Sequence, residues 1–454
     1  MASTLLARNA LVLVTMDGAR REIAGGGLYV EDGRIVAVGR PQDLPANADE
    51  VIDLSGHVVM PGMVNTHHHM VQSLTRAVPA AQDGELFTWL KSLYPLWAGL
   101  TGDMVEAATE TAMAELILSG CTTSSDHLYI YPNGARLDDS IRAARRIGMR
   151  FHAARGAMTI GESKGGLPPD RVVEDEGFVM KDAERLIGAY HDPARYSMLR
   201  IVLAPCSPFT VSRDFMLETL KLGRDNGLTL HTHLAENDSD VAFSEKTFGM
   251  GPTEYVRSLG WVGPDVWHAH CVKLDDDGIA LFAKTGTGIA HCPCSNMRLA
   301  SGIAPVKRFI AEGIRVGLGV DGSASNDSGH MLSEARQAML LQRVAYGPDA
   351  MSARTALELA TLGGARVLGR DDIGALAPGM AADFVAFDMS RLAYAGALHD
   401  PVAALIFCQS QDVSLSVING RVVVRDGHLL TIDLDAAVAR HNAMAAELAR
   451  LASA

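Results

Sequence analysis

Residues 58–70 read VVMPGMVNTHHHM. The apolar, β-branched run up to Val64, broken by Pro61 and Gly62, predicts a short buried strand. Side chains alternate faces along a strand, so His67 and His69 share one face at its C-terminal end and His68 turns to the other, packing against the outside. Two imidazoles spaced in this way converge and can hold one metal ion. Taken alone, the stretch fits a histidine-rich surface turn equally well.

Seven further buried runs follow: CTTSSDH (121–127), MRFHAARGA (149–157), LRIVLAPCS (199–207), LTLHTHLAE (228–236), DVWHAHCV (265–272), GTGIAHCPC (286–294) and IRVGLGVDG (314–322). Helical stretches separate them, such as GDMVEAATETAMAELILS (102–119) and RDFMLETLKLGRDN (213–226). Eight such units predict an α/β fold, a (β/α)8 barrel of the TIM type, in which chemistry sits at the C-terminal strand ends. A doubly wound open sheet is disfavoured because no glycine-rich phosphate fingerprint follows the first strand.

The two ends of the chain have another texture. LLARNALVLVTM (5–16), GLYVEDGRIVAVG (27–39) and EVIDLSGHVV (50–59) alternate like strands, as do ADFVAFDM (382–389) and VSLSVINGRVVVRDGHLL (413–430). Asp32-Gly33, Asn419-Gly420 and Asp426-Gly427 are hairpin signals. The expected organisation is a small β-sandwich domain from residues 1–60 plus 375–435, a barrel over 61–374, and a C-terminal amphipathic helix over 436–454.

The net charge of −13 argues against a polynucleotide partner, which needs a basic footprint, and favours a small neutral or cationic substrate. Six cysteines without staple-like spacing predict reduced thiols in a cytoplasmic protein. The N-terminal run lacks a basic start and a cleavage site, and no apolar run reaches bilayer length, so neither export nor a membrane is expected.

Histidine is concentrated at the predicted strand ends: His67, His68, His69, His231, His233, His268, His270 and His291 make up half of the sixteen in the chain. His233 ends strand five, with Glu236 three residues on, within reach of a metal-bound water. His231 lies two residues deeper, as a layer residue inside the barrel. His67, His69 and His233 with Asp321 from strand eight form an N/O set suited to zinc, with iron as the alternative.

These residues carry a resemblance. PGMVNTHHH (61–69), the H-x-x-E of His233 to Glu236, HCVKL (270–274), HCPCSN (291–296), VDGSASND (320–327) and IGALAPGMAADFVAFD (373–388) are similar to the amidohydrolase superfamily, specifically its cytosine-deaminase-like and s-triazine hydrolase branch. Strand four has no lysine to bridge two metals. The resemblance therefore implies one metal per chain, held by His67, His69, His233 and Asp321, with His270 orienting the attacking water. It implies hydrolytic deamination in which Glu236 carries a proton to the ring, Asp321 accepts one from water and His270 stabilises developing charge. Relatives are often homo-oligomers, and the same is expected here.

For the substrate, Trp89 lies in a segment resembling the family's substrate-covering loop, although loop core is an equal reading. An acidic ribose partner is missing around Leu96–Ala98, which favours a free base. Gln72 can both donate and accept at a purine edge. Arg155 is read either as a carbonyl holder or as a structural residue facing the loop. Cys206 stands where many relatives have histidine and leaves room for an extra ring substituent. The pattern is most similar to the 8-oxoguanine deaminases. Guanine or isoguanine deamination, or hydrolysis of hydroxylated triazines, is the alternative, and a non-enzymatic scaffold is the least favoured. The polar segment 161–177 is long enough to form a lid.

Overall fold

The computed structural model describes residues 4–451; the outermost parts of both expected terminal segments, 1–3 and 452–454, lie outside the described residues. Eight parallel strands close into a barrel: β1 (Met63–Asn65), β2 (Cys121–Leu128), β3 (Arg150–Ala157), β4 (Leu199–Pro205), β5 (Thr229–Leu234), β6 (Val266–His270), β7 (Gly288–His291) and β8 (Arg315–Leu318). Seven lie within the runs read from the sequence and β2 extends one residue beyond its run, to Leu128; β8 closes onto β1 through Leu318 and Asn65. Almost every strand residue is buried, as expected for parallel strands covered by helices.

The first run divides between two sheets. His57–Pro61 pairs antiparallel with Phe384–Asp388, and Met63–Asn65 enters the barrel. Gly62 permits the switch: a Cβ there would lie 2.1 Å from Thr122 Oγ1, so a side chain cannot pass this close to β2.

The terminal segments form two further sheets. One has four strands: Arg34–Gly39, Gly27–Glu31, Thr4–Arg8 and Glu50–Asp53. The other has seven and mixes both ends of the chain, His57–Pro61 lying between Val12–Val14 and Phe384–Asp388. Leu5, Leu28, Val30 and Ile35 of the first sheet share an apolar cluster with Leu13, Val59, Phe384 and Val417 of the second.

A buried ion pair ties this region to the barrel. Arg150 at the start of β3 donates Nε and Nη2 to Asp383 at 3.0 and 3.1 Å, and Nη1 to the carbonyls of Tyr196 and Ser197, both at 2.7 Å.

Four helices shape the surroundings of the barrel mouth: α1 (Leu86–Trp97), α2 (Gly102–Leu118), α3 (Met331–Tyr346) and α4 (Leu434–Leu451). Glu85 caps α1 by accepting the amides of Phe87 and Thr88. The C-terminal helix α4 packs on α2 and on the buried turn Met70–Thr75, where His441 Nε2 donates to the Ser73 carbonyl at 3.0 Å. His68 is fully buried, stands outside the candidate metal group that contains His67 and His69, and its Nδ1 accepts the His69 amide at 2.8 Å. Among the described residues no helix is long and apolar enough to cross a membrane, and all six cysteines are free.

Candidate metal centre and active site

The short pairing of His68–His69 with Asp321–Gly322 extends β1 and β8 past their barrel register and brings Asp321 beside two imidazoles. Nε2 of His67 and Nε2 of His69 each lie 3.3 Å from Asp321 Oδ1. β5 adds His233, whose Nε2 is 3.1 Å from that of His69. β6 ends at His270, with Nε2 3.5 Å from Glu236 Oε2 and 3.8 Å from Asp321 Oδ2. Two groups have all their ligand atoms within 4.8 Å of one another: His67, His233, His270 and Asp321, and His67, His69, His127 and His233.

Backbone carbonyls, which can only accept, fix the tautomers. His69 Nδ1 donates to the His127 carbonyl at 2.7 Å, and His233 Nδ1 donates to that of Cys206. His231 Nδ1 donates to the Trp267 carbonyl at 3.0 Å, so its Nε2 is the acceptor for His67 Nδ1–H at 2.8 Å. All three remaining Nε2 atoms therefore present lone pairs to one place. That of His67 is buried without a hydrogen-bond partner among the described residues, and those of His69 and His233 face each other. Lone pairs this close repel unless a cation lies between them. The donor set, three neutral imidazoles and one carboxylate, fits zinc.

The electrostatics agree with this arrangement. Burial, reinforced by neighbouring imidazoles, holds His67 well below the ordinary histidine range and His233 at about 3, and burial lowers His69. All three stay neutral and free to ligate. Asp321 is held well below the carboxylate range: burial opposes ionisation, but His67, His270 and His69 outweigh it. Glu236 is pushed up to about 7 by burial, with Asp321 and Asp240 adding to it against the pull of His270. His270 is raised despite its burial, through Glu236, Asp321 and its contact with Asn296. Ala235, His270, Cys271 and Asp321 all have positive φ, between 50° and 70°. Such backbone costs about 1–3 kcal/mol per residue and gathers where geometry is over-determined.

A small cavity opens over this cluster, with His69, His233, Glu236, His270 and Asp321 in its lining and Leu86, Trp89, Leu90, Tyr94, Tyr129 and Phe209 forming the apolar walls. Gln72 and Cys206 also line it. Gln72 Nε2 meets the Tyr129 hydroxyl at 3.3 Å, and its buried Oε1 has no hydrogen-bond partner among the described residues. Trp89 points its indole N–H at the Ala324 carbonyl, 3.0 Å away, so one side chain serves both the wall and loop packing. Burial pushes the Cys206 thiol up to about 12, which keeps it neutral.

Arg155 is a correction. It does not reach the cavity: its guanidinium is paired with Glu174 at 2.9 Å and Asp182 at 2.9 Å and lies over the Tyr131 ring at 4.1 Å. With both carboxylates holding its guanidinium, it anchors the 158–175 segment instead. Residues overlooked in the sequence are His127, Tyr129 and Asn296. His127 and Tyr129 are two apart on β2 and its continuation, a signal that alternation carried. Asn296 sits inside HCPCSN, and its Oδ1 accepts from His270 Nδ1 at 3.0 Å.

Comparison with known proteins agrees with this site. Residues 58–423 match the amidohydrolase family, and the chain belongs to it. It is 45% identical to 8-oxoguanine deaminase of Pseudomonas aeruginosa PAO1, over 97% of this chain and 98% of that protein. It is 38% identical to hydroxydechloroatrazine ethylaminohydrolase of Pseudomonas sp. strain ADP, over 93% and 91%. Among solved structures it is similar to the zinc complex of atrazine chlorohydrolase TrzN from Arthrobacter aurescens TC1, with TM-score 0.93 and 34% identity over 97% of this chain and 100% of that one. The protein is an amidohydrolase with a His/Asp group fit for a metal ion.

Proposed function

We propose that the chain is a single-metal hydrolytic deaminase of a free purine base, converting 8-oxoguanine and water to urate and ammonia. The observation that carries this reading is the convergence of three Nε2 lone pairs and Asp321 on one point, with Glu236 and His270 directly beside it. His67, His69, His233 and Asp321 would hold one zinc ion, iron being the alternative. Bound there, the ion makes water acidic enough to attack near neutral pH.

The remaining chemistry belongs to side chains. Asp321, ionised and beside His270, accepts a proton from the attacking water. Glu236 delivers a proton to the ring nitrogen next to the attacked carbon, a task suited to a carboxyl that titrates near 7. His270, raised in pKa and held by Asn296, donates from Nε2 to the developing negative charge. The amino group leaves as ammonia once protonated. Gln72 and Cys206 would contact the base and Trp89 would cover it. The 8-oxoguanine deaminase likeness supports the 8-oxo base. The two terminal sheets, with their common core, are read as one β-sandwich module on the barrel.

A second reading, hydrolysis of a hydroxylated triazine, is favoured by the ethylaminohydrolase relative. Ultraviolet spectra of the zinc-loaded protein with 8-oxoguanine, guanine, isoguanine and hydroxyatrazine separate the readings. Loss of the 8-oxoguanine band with formation of urate is expected; an unchanged band refutes the proposed substrate.

A further inference from the structure

Glu334 on α3 is 1% exposed, and no cation pairs with it among the described residues. Its two oxygens hold different turns. Oε1 accepts the Cys294 amide at 3.0 Å, and Oε2 accepts Asn326 Nδ2 at 3.0 Å. The first turn follows β7 and carries Asn296, the partner of His270 Nδ1. The second follows β8 and begins with Asp321. There Asn326 Nδ2 also donates to the Val320 carbonyl at 2.7 Å, and the Asn326 amide donates to that of Gly322 at 3.0 Å. A parallel thread runs Ser295 Oγ to Ser325 Oγ at 2.9 Å and on to Asp321 Oδ2 at 3.3 Å.

We infer that Glu334 is a positioning residue, a clamp between the turns after β7 and β8 that sets the separation of His270 from Asp321. The inference rests on the reading of those two residues as the groups that handle charge and proton. A carboxyl group is needed because its partners, the amide and thiol of Cys294 and the Asn326 Nδ2, are all donors. Glutamine has the same shape but turns an NH2 towards one of them, and alanine removes both acceptors. Loss of the clamp lets the two turns shift against each other, so the effect falls on the chemical step. Gln72, Trp89 and Cys206 are carried by other elements, although the Ala324 carbonyl and Gly322 of the second turn touch Trp89 and Gln72, and the three histidine ligands are on β5 and the extension of β1.

The test is steady-state kinetics of zinc-loaded wild type, Glu334→Gln and Glu334→Ala on the base that wild type deaminates, with zinc content and thermal midpoint measured on the same samples. A kcat at least tenfold lower in Glu334→Gln, with KM within threefold and one zinc per chain retained, is the expected result. A kcat within twofold of wild type, whatever the midpoint does, overturns the inference. A fall in kcat that tracks lost zinc, or that comes with a proportional rise in KM, also overturns it. Should Glu334→Gln not fold, Asn326→Ala cuts the same clamp from its other end and is read by the same criteria. A wild type inactive on every base tested refutes the reading of the site itself, and the clamp falls with it.

Discussion

Gly322→Ala is the smallest change that tests how the cavity wall is built. Gly322 follows Asp321, and its backbone lies outside the left-handed region, so alanine is conformationally allowed. The obstacle is Gln72. A Cβ on Gly322 would lie 1.8 Å from Gln72 Oε1 and 2.3 Å from its Cδ. The amide must swing away and lose its contact with the Tyr129 hydroxyl. Overpacking of a buried site costs about 1–3 kcal/mol. A substrate hydrogen bond from Gln72 is worth about 0.5–1.5 kcal/mol, so its loss raises KM roughly 2- to 13-fold. Urea denaturation of zinc-loaded protein gives the first figure and initial rates the second. The decisive comparison is Gly322→Ala in a Gln72→Ala background, where the obstruction is gone. The stability penalty there should fall below about 0.5 kcal/mol, whereas KM should stay high. An equal penalty in both backgrounds would show that Gln72 is not what the methyl group meets.

Other expectations follow from the same geometry. Glu236→Gln should keep its zinc and lose about 10²–10⁴-fold in kcat, measured by ammonia release; near-normal turnover removes Glu236 from proton transfer. Arg150→Met leaves Asp383 charged in the interior and should cost about 3–5 kcal/mol in urea unfolding. Arg150→Lys should recover only part of that loss, since one ammonium cannot reproduce the fork on Asp383 together with two carbonyl contacts. Burial raises Glu334 from its ordinary 4.5 to about 7 in the fold. The folded state therefore binds more protons than the unfolded chain across that interval, and the Glu334 contribution to stability falls as pH rises from 4.5 to about 7. Compared with Glu334→Gln by urea unfolding at several pH values, wild type should lose stability relative to the variant over that window; parallel pH curves contradict the assignment.

The barrel was legible because its signal is repetitive: eight apolar runs with intervening helical stretches leave few alternatives. The candidate ligand positions were legible because alternation on a strand is strict, which places His67 and His69 together and His68 apart. What stayed hidden depends on packing between distant segments. His231 could be placed as a deeper layer residue, but its part in fixing the His67 tautomer needs the Trp267 carbonyl on the neighbouring strand. Arg155 kept two readings because Glu174 and Asp182, which neutralise it, lie on the following loop and helix. His68 is fully buried on the other face, a covering that the local alternation alone does not reveal.

The central claim is that three Nε2 atoms and one carboxylate share a single cation. Anomalous difference density across the zinc edge, from crystals grown with one equivalent of zinc, measures this directly. One peak per chain is predicted, about 2.0–2.2 Å from Nε2 of His67, His69 and His233 and from an Asp321 oxygen. A zinc peak elsewhere, with these four side chains left apart from it, would contradict the account.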